Sequence, residues 1–100
     1  ESKAITAVFK DNVKNVLVHS TKSMTGHLVG AAGGVEAIAA LLAIEKNIIH
    51  PTINQFNRDP EIHLNIVSNT AIEKKINHVV SNSFGFGGQN AAIVLSRFNG

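Results

Sequence analysis

The chain of 100 residues contains no cysteine. This absence excludes a disulfide framework and thiolate metal sites, and it means that the chain holds no cysteine nucleophile. The histidines at four positions show none of the HxH, HxxxH or HExxH spacings that metal sites use; they are His19, His50, His63 and His78. We therefore predict a structural role for these four histidines and no zinc site.

Charged side chains are scarce as well. They make up 16% of the residues, against about 25% in typical globular proteins, so we expect part of the surface to be covered by more protein. The net charge is only +2, and Lys74 and Lys75 are the one adjacent pair of basic residues. Without a basic stripe and interleaved aromatics, nucleic acid is not the predicted partner.

The chain also lacks a long hydrophobic run. Its longest apolar stretch, residues 28–44, contains Glu36 and three glycines and falls short of the ~20 residues of a membrane span. The opening ESKAITAVFKDN has no basic region followed by an apolar run, as a signal peptide would. We expect a soluble protein of the cytoplasm, or of an organelle, without membrane partners.

The longest predicted helix covers residues 25–46. Apolar residues follow helical spacing on two of its faces, which predicts a helix that is buried nearly all round. Gly30, Gly33 and Gly34 would each cost about 1 kcal/mol relative to alanine in a helix interior. Three of them on one face predict the close approach of a second helix.

Predicted strands surround this helix. Residues 15–21 form a short β-rich run, and residues 78–84 and 90–98 flank GFGGQ, which predicts a hairpin with a glycine-rich loop. Residues 1–10 have the apolar spacing of the end of a helix, which predicts that the chain starts inside a domain. The order of strand, helix and strands predicts an α/β layered fold.

Lys22 and His27 lie in STKSMTGHLVGAAGG, residues 20–34, where the predicted strand gives way to the predicted helix. Backbone N–H groups at a helix start favour negative charge, and a neutral histidine there can donate a hydrogen bond to a developing oxyanion. The alternatives are a solvated lysine beside a helix-terminal histidine, and a phosphate-binding loop. A Walker A loop is excluded, because Lys22 precedes the glycines.

Two further features leave alternatives open. Glu36 is an acid in an otherwise apolar helix, so it either pairs with Lys22 or a bound cation, or lies on an exposed strip. GFGGQN, residues 85–90, is either an ordinary hairpin loop with positive-φ glycines or a loop that brings backbone N–H groups to a substrate. In the second case Phe84 and Phe86 offer apolar surface.

Taken together, STKSMTGHLVGAAGGVEA and SNSFGFGGQNA resemble segments of the β-ketoacyl-acyl-carrier-protein synthases, the condensing enzymes of fatty-acid synthesis, and most of all their elongating members. The resemblance covers essentially the whole chain. It implies a thiolase-like, five-layer α-β-α-β-α fold, with residues 1–100 forming most of the C-terminal half. The nucleophilic cysteine and the first catalytic histidine lie upstream in the family, so this chain alone should be inactive.

The resemblance also implies roles for individual residues. His27 matches the second catalytic histidine, which hydrogen-bonds the malonyl thioester carbonyl and steadies the enolate. Lys22 matches the lysine that orders the site electrostatically, and Glu36 matches the acid that pairs with it. Phe86 matches a gating phenylalanine whose N–H is an oxyanion-hole donor. The rest of the implied substrate loop comprises Phe84, Gly85, Gly87 and Gly88.

No cofactor is required in the family, although some members bind a structural Na⁺ or K⁺ ion near positions that match Glu36, Ser81 and Asn82. Gln89 stands where many relatives have threonine, near the pantetheine arm. The implied reaction is the decarboxylative Claisen condensation of malonyl-acyl-carrier-protein with an acyl thioester. The implied partners are acyl carrier protein and a second copy of the enzyme in a homodimer.

Three other functions remain as alternatives. The first is a non-condensing partner of the chain-length-factor type, which keeps the fold but lacks the nucleophile. The second is an inert fragment that serves only as a structural half, and the third is a standalone module that binds phosphate or pantetheine. Retention of both Lys22 and His27 favours the condensing enzyme.

Overall fold

The computed structural model describes all 100 residues. The N-terminal part comprises α1 (Ser2–Phe9), a 3-10 helix (Lys10–Asn15), β1 (Leu17–Val18), α2 (Lys22–Thr25) and a 3-10 turn (Val29–Ala31). The long helix α3 (Ala32–Lys46) follows. The C-terminal part comprises β2 (Ile48–Ile49), β3 (Asn65–Ile66), β4 (Ile72–Glu73), β5 (His78–Phe84) and β6 (Asn90–Ser96).

The strands form three separate two-stranded sheets. β1 pairs in parallel with β3, and β2 pairs antiparallel with β4. β5 and β6 form the predicted hairpin, in a continuous register from His78 opposite Ser96 to Phe84 opposite Asn90. β1 is shorter than the predicted strand of residues 15–21, because the Ser20 amide donates to the Thr52 hydroxyl instead of to a neighbouring strand.

The long helix α3 begins at Ala32, seven residues later than the predicted helix of residues 25–46. Gly26, at φ 77°, ends α2, and Val29, at φ 52°, interrupts the path before α3. The prediction that His27 stands at the start of the long helix is therefore wrong, since His27 lies in the loop between α2 and the 3-10 turn. At its other end α3 stops as expected, because Asn47 adopts the left-handed conformation that closes many helices.

The prediction of a helix buried nearly all round also does not hold within this chain. Only four residues of α3 are buried, and Ile38, Leu41 and Leu42 remain about half exposed. A Cβ added to Gly30 or Gly34 would meet no atom within 4 Å. The close approach of a second helix that the glycines predict is thus not supplied by residues 1–100.

The core is small for a chain of this length. Eight of the 100 residues are buried, among them Val67, which is fully enclosed. The apolar members of this core are Ala32, Ala40, Ala43, Ile44, Ile49, Leu64 and Val67. They lie on α3, on β2 and on either side of β3. No helix of the chain, the 15-residue α3 included, is both long enough and apolar enough to cross a membrane.

One arginine joins the end of α3 to the end of the hairpin. The Arg97 guanidinium donates to the Ile44 carbonyl, to Asn47 Oδ1 at 2.7 Å and to the Ile76 carbonyl at 3.1 Å. The Ile44 carbonyl belongs to the last turn of α3, where carbonyls have no partner within the helix. Arg97 therefore satisfies the helix terminus and fixes the orientation of the hairpin against α3.

Candidate active site

The first element of the site is an ion pair between α2 and α3. Lys22 is the first residue of α2, and its Nζ contacts Glu36 Oε1 on the second turn of α3. The Glu36 side chain is only 13% exposed and that of Lys22 is 35% exposed. Of the alternatives for Glu36, the structure therefore shows the partnered carboxylate and not the exposed strip. The pair ties the start of α2 to the body of α3.

The second oxygen of Glu36 has no partner. Oε2 is buried, and no hydrogen bond reaches it within the chain. Glu36 follows Gly33 by one helical turn and so shares its face, and Gly33 faces Ser83 Oγ on β5. A shallow cavity of about 220 Å³ lies at this contact, lined by Gly33, Ser81, Ser83, Ala91, Ala92 and Ile93. An orphaned carboxylate oxygen on the face packed toward β5 is suited to a further donor or a small cation.

The oxygen chemistry at this position suits a hard cation better than a transition metal. No group of three or more histidine, cysteine, aspartate or glutamate side chains is arranged to hold a metal ion. Glu36 Oε2 supplies one carboxylate oxygen, and the backbone carbonyls of Ser81 and Asn82 belong to the strand that α3 packs against. These donors are the type that Na⁺ and K⁺ accept.

His27 is held by a hydrogen bond from its own loop. The Val29 backbone N–H donates to His27 Nδ1 at 3.0 Å. A ring nitrogen that accepts a hydrogen bond carries no proton, so the single proton of the neutral ring lies on Nε2. The His27 side chain is exposed. In the neutral form of the ring, His27 can therefore offer its Nε2–H as a donor, and a neutral donor can stabilise an oxyanion without protonating it.

The residue that donates this hydrogen bond has an unusual backbone conformation. Val29 has φ 52°, in the left-handed region that β-branched residues rarely adopt. Such a conformation costs on the order of 1–3 kcal/mol and persists where the surrounding structure imposes it. At Val29 the strained conformation sets the direction of the chain that follows, which leads through the 3-10 turn into α3.

The hairpin loop, residues 85–89, supplies the second candidate segment. Gly87 and Gly88 have φ values of 83° and 79°, and the Gly85 amide donates to the Gln89 carbonyl at 2.7 Å. A Cβ on Gly85 would lie 3.0 Å from that carbonyl oxygen. The glycines are therefore required by the turn itself. Phe86 is fully exposed at the tip, and Phe84 is 60% exposed at the end of β5.

The predicted site residues are thus brought together only in part. Lys22 and Glu36 are in contact, but no hydrogen bond joins His27 to either of them. The gate and oxyanion-hole roles of Phe86 stay predictions, because Phe86 presents its whole ring to solvent. The same holds for the substrate-contact roles of Phe84, Gly85, Gly87 and Gly88.

Sequence reasoning missed a histidine pair beside the Lys22 turn. His19 Nδ1 lies 3.2 Å from His50 Nδ1, with the two rings edge to face at a centroid separation of 4.2 Å. His50 Nε2 lies 3.0 Å from Thr21 Oγ1. Burial, and to a lesser degree the neighbouring His50, lower the pKa of His19 from 6.5 to about 4. The two histidines are 31 residues apart, so no local spacing could have indicated this pair.

The α/β segment thus holds the Lys22–Glu36 pair and, in the loop before α3, a histidine whose Nδ1 accepts a backbone hydrogen bond. Comparison with known proteins identifies the family of the chain. The profile described as the C-terminal domain of β-ketoacyl synthase matches residues 1–56, which is more than half of the chain. The chain belongs to the β-ketoacyl synthase family. The resemblance to this family that the two motifs predict is confirmed.

Full-length relatives extend the match beyond residue 56. The chain is 49% identical over 98 residues to 3-oxoacyl-[acyl-carrier-protein] synthase I, chloroplastic, from Hordeum vulgare, covering 98% of the chain and 21% of that protein. It is 52% identical over 97 residues to 3-oxoacyl-[acyl-carrier-protein] synthase 2 from Coxiella burnetii, covering 97% of the chain and 23% of that protein. The chain therefore spans between a fifth and a quarter of the length of these relatives.

Solved structures agree on the fold. A ketosynthase complexed with its type II polyketide acyl carrier protein superposes with a TM-score of 0.94 at 36% identity, covering 98% of the chain and 24% of that chain. The ishigamide ketosynthase/chain length factor superposes with a TM-score of 0.92 at 41% identity, covering 99% and 24%. The prediction of a thiolase-like α/β fold is confirmed. That residues 1–100 form most of a C-terminal half stays a prediction.

Proposed function

We propose that the chain is the C-terminal part of a β-ketoacyl-acyl-carrier-protein synthase that elongates fatty acids. The single observation that carries this proposal is the arrangement of Lys22, Glu36 and His27 in a chain about half identical to 3-oxoacyl-[acyl-carrier-protein] synthases over its whole length. The reaction is the decarboxylative condensation of a malonyl thioester with an acyl thioester. We expect it to take place in a bacterial cytoplasm or in an organelle, since the relatives come from a bacterium and a chloroplast.

In this reaction an upstream cysteine holds the acyl group as a thioester. The C–C bond to the malonyl carboxylate breaks and releases carbon dioxide, and its electron pair forms an enolate on the thioester. The enolate carbon then attacks the acyl carbonyl, and the cysteine leaves as the thiolate. His27 would donate its Nε2–H to the thioester oxygen, where charge develops, and Lys22 would add positive charge nearby. Glu36 would hold Lys22 in place.

The chain alone should not catalyse this reaction, since acyl transfer needs a nucleophile and the chain has no cysteine. It also leaves a large apolar surface uncovered, with exposed Leu, Ile, Val and Phe side chains on α1, α3 and both hairpin strands and an exposed Met24 on α2. The remainder of the synthase would cover part of this surface. These observations speak against a standalone binding module, which would need a closed core of its own.

Acyl carrier protein is the proposed substrate carrier, and a second copy of the synthase is the proposed dimer partner. The first proposal is supported by the structural neighbour, a ketosynthase in complex with its acyl carrier protein. A structural Na⁺ or K⁺ ion is proposed beside Glu36 Oε2, with the Ser81 and Asn82 carbonyls as further ligands. The orphaned, buried Oε2 supports this site.

A chain-length-factor partner is the second candidate, because one structural neighbour is a ketosynthase/chain length factor. The two candidates differ in the upstream nucleophile. A cysteine at that position supports the condensing enzyme, whereas another residue there supports the non-condensing partner. The Lys22–Glu36 pair and the prepared Nε2–H of His27 favour the condensing enzyme.

The test is His27→Ala in the full-length synthase, with the two half-reactions measured separately. Malonyl decarboxylation should fall by about 10²–10³-fold, the usual loss when one oxyanion donor is removed. Acylation of the upstream cysteine should persist. His63→Ala, at an exposed histidine without a hydrogen-bond partner in the chain, is the matched control. Equal loss of both half-reactions in the His27 variant would contradict the assigned role.

A further inference from the structure

The turn that carries Lys22 is held by a second segment of the chain, residues 50–53. These residues follow β2, whereas the turn, residues 20–23, follows β1. Three hydrogen bonds join the two segments: from the Ser20 amide to Thr52 Oγ1 at 2.7 Å, from the Ile53 amide to Ser23 Oγ at 3.0 Å, and between Thr21 Oγ1 and His50 Nε2 at 3.0 Å. The segment therefore contacts the turn on both sides of Lys22.

Of these three hydrogen bonds, the one between Thr21 and His50 involves the residue that immediately precedes Lys22 in the chain. Thr21 occupies the N-cap position of α2, yet its hydroxyl caps no backbone N–H of the helix. Its carbonyl accepts hydrogen bonds from the Met24 and Thr25 amides, so Thr21 closes the single turn of α2. A displacement of Thr21 would therefore move the start of α2, and Lys22 with it.

His50 is itself fixed in orientation. Its Nδ1 lies 3.1 Å from the carbonyl of Pro51, which is buried, and 3.2 Å from His19 Nδ1. The edge-to-face contact with the His19 ring restrains it further. Both ring nitrogens of His50 are therefore engaged, one with the strand ends and the other with the Lys22 turn. Because the ring is held at the ends of β1 and β2, a shift of these strands would move His50 and, through its hydrogen bond, Thr21.

We propose that His50 is a positioning residue of the synthase, which holds the Lys22 turn, through Thr21, where Lys22 meets Glu36. This inference rests on the proposed function, because the role of Lys22 does. His50 touches neither Lys22 nor Glu36 through a hydrogen bond. Its effect on catalysis would therefore pass through the Thr21 hydroxyl and would fall on the step that uses Lys22.

The experiment uses the full-length synthase and variants that separate the two sides of the imidazole. His50→Phe keeps a flat ring without hydrogen bonds, His50→Gln can still reach Thr21, and His50→Asn can replace only the Nδ1 side. Thr21→Val removes the hydroxyl and preserves the shape. The matched control is His78→Phe, because His78 Nδ1 also bonds a hydroxyl, that of Ser96 at 2.9 Å, but on the hairpin.

We expect His50→Phe and Thr21→Val to lower kcat for malonyl decarboxylation by about 10- to 100-fold, since small misplacements of a catalytic group cost rate of this order. The KM for the malonyl thioester and the rate of acyl transfer to the upstream cysteine should stay unchanged. His50→Gln should recover most of kcat, and His50→Asn should not. The double variant of His50→Phe and Thr21→Val should be no slower than either single variant.

Several results would overturn the inference. Unchanged decarboxylation in His50→Phe would do so, as would equal losses in both half-reactions together with a lowered melting temperature, which indicate a structural role only. Independent, multiplicative effects of the His50 and Thr21 changes would also refute it. If His50→Phe does not fold, the kcat values of Thr21→Val and His50→Gln provide the test: the first should be lowered and the second should stay close to that of the wild type. A wild-type synthase without condensing activity would instead overturn the proposed function.

Discussion

The Lys22–Glu36 pair permits the sharpest prediction about stability, because either partner can be removed while the other stays behind. Glu36→Gln keeps the shape of the side chain but removes its charge, and leaves the partly buried ammonium of Lys22 without a counter-charge. Lys22→Met leaves the more deeply buried carboxylate, of which Oε2 already has no partner. Replacing both residues, in Lys22→Met with Glu36→Leu, removes both charges at once.

Removal of one member of a fully buried ion pair costs about 3–5 kcal/mol. The side chain of Lys22 is 35% exposed and that of Glu36 is 13% exposed, so water screens part of the remaining charge. We therefore expect each single variant to lower the free energy of unfolding by about 2 kcal/mol. The double variant should recover most of this loss, because well-packed apolar residues often replace a buried ion pair without cost.

The assay is the melting temperature of the full-length synthase, followed by the rate of malonyl decarboxylation. The second ion pair of the chain provides a matched control: Glu45 and Lys46 lie 3.5 Å apart with both side chains more than 60% exposed. Glu45→Gln should change the free energy of unfolding by less than about 0.5 kcal/mol. The double variant should regain stability but stay inactive, because it lacks the positive charge of Lys22.

Two outcomes would refute this reasoning. If Glu36→Gln were as stable as Glu45→Gln, the partly buried Lys22–Glu36 pair would contribute no more to the free energy of unfolding than an exposed pair does. If the double variant were active, the electrostatic role of Lys22 would be wrong even though the pair exists.

Two predictions concern the residues around the pair. The pKa of His19 is lowered from 6.5 to about 4, so between these pH values the unfolded chain binds a proton that the folded chain does not. The free energy of unfolding should therefore fall as the pH drops through this window, by about 1–2 kcal/mol after allowance for partial exposure. In urea unfolding experiments, the stability of His19→Gln should depend less on pH than that of the wild type. Val29→Gly relieves the strain at φ 52° and gives the loop that holds His27 more backbone freedom, so decarboxylation should slow without loss of thermal stability; a clear fall in melting temperature with an unchanged rate would contradict this account.

Much of the local structure could be predicted from patterns of neighbouring residues. The hairpin follows from two apolar runs around a glycine loop, and the end of α3 follows from Asn47 and the nearby Pro51. The start of α3 could not be predicted, because the apolar spacing continues smoothly through Gly26 and Val29. The backbone there leaves the helical path at Gly26 and Val29, and the His27 ring accepts a hydrogen bond from the Val29 amide. A count of apolar positions does not detect such local side-chain to backbone bonding.

The candidate site likewise has features that could be predicted from the sequence and features that could not. The two motifs identified the family and with it Lys22, His27 and Glu36, because those residues lie within one continuous stretch. The His19–His50 contact and the hydrogen bond from His50 to Thr21 join segments about 30 residues apart. These contacts depend on the meeting of the segments that follow β1 and β2, which is a consequence of chain packing and not of local spacing.

The amino-acid sequence by itself determined the family, the absence of cysteine and the residue types of the site, because these depend on which side chains are present and in what order. Only the tertiary structure decided that Glu36 pairs with Lys22 instead of facing water, that His27 stands outside the helix with Nδ1 accepting the Val29 amide, and that His50 reaches the Lys22 turn. The reason is that ion pairing, tautomer and positioning are set by distances across the fold, which a linear order of residues does not contain.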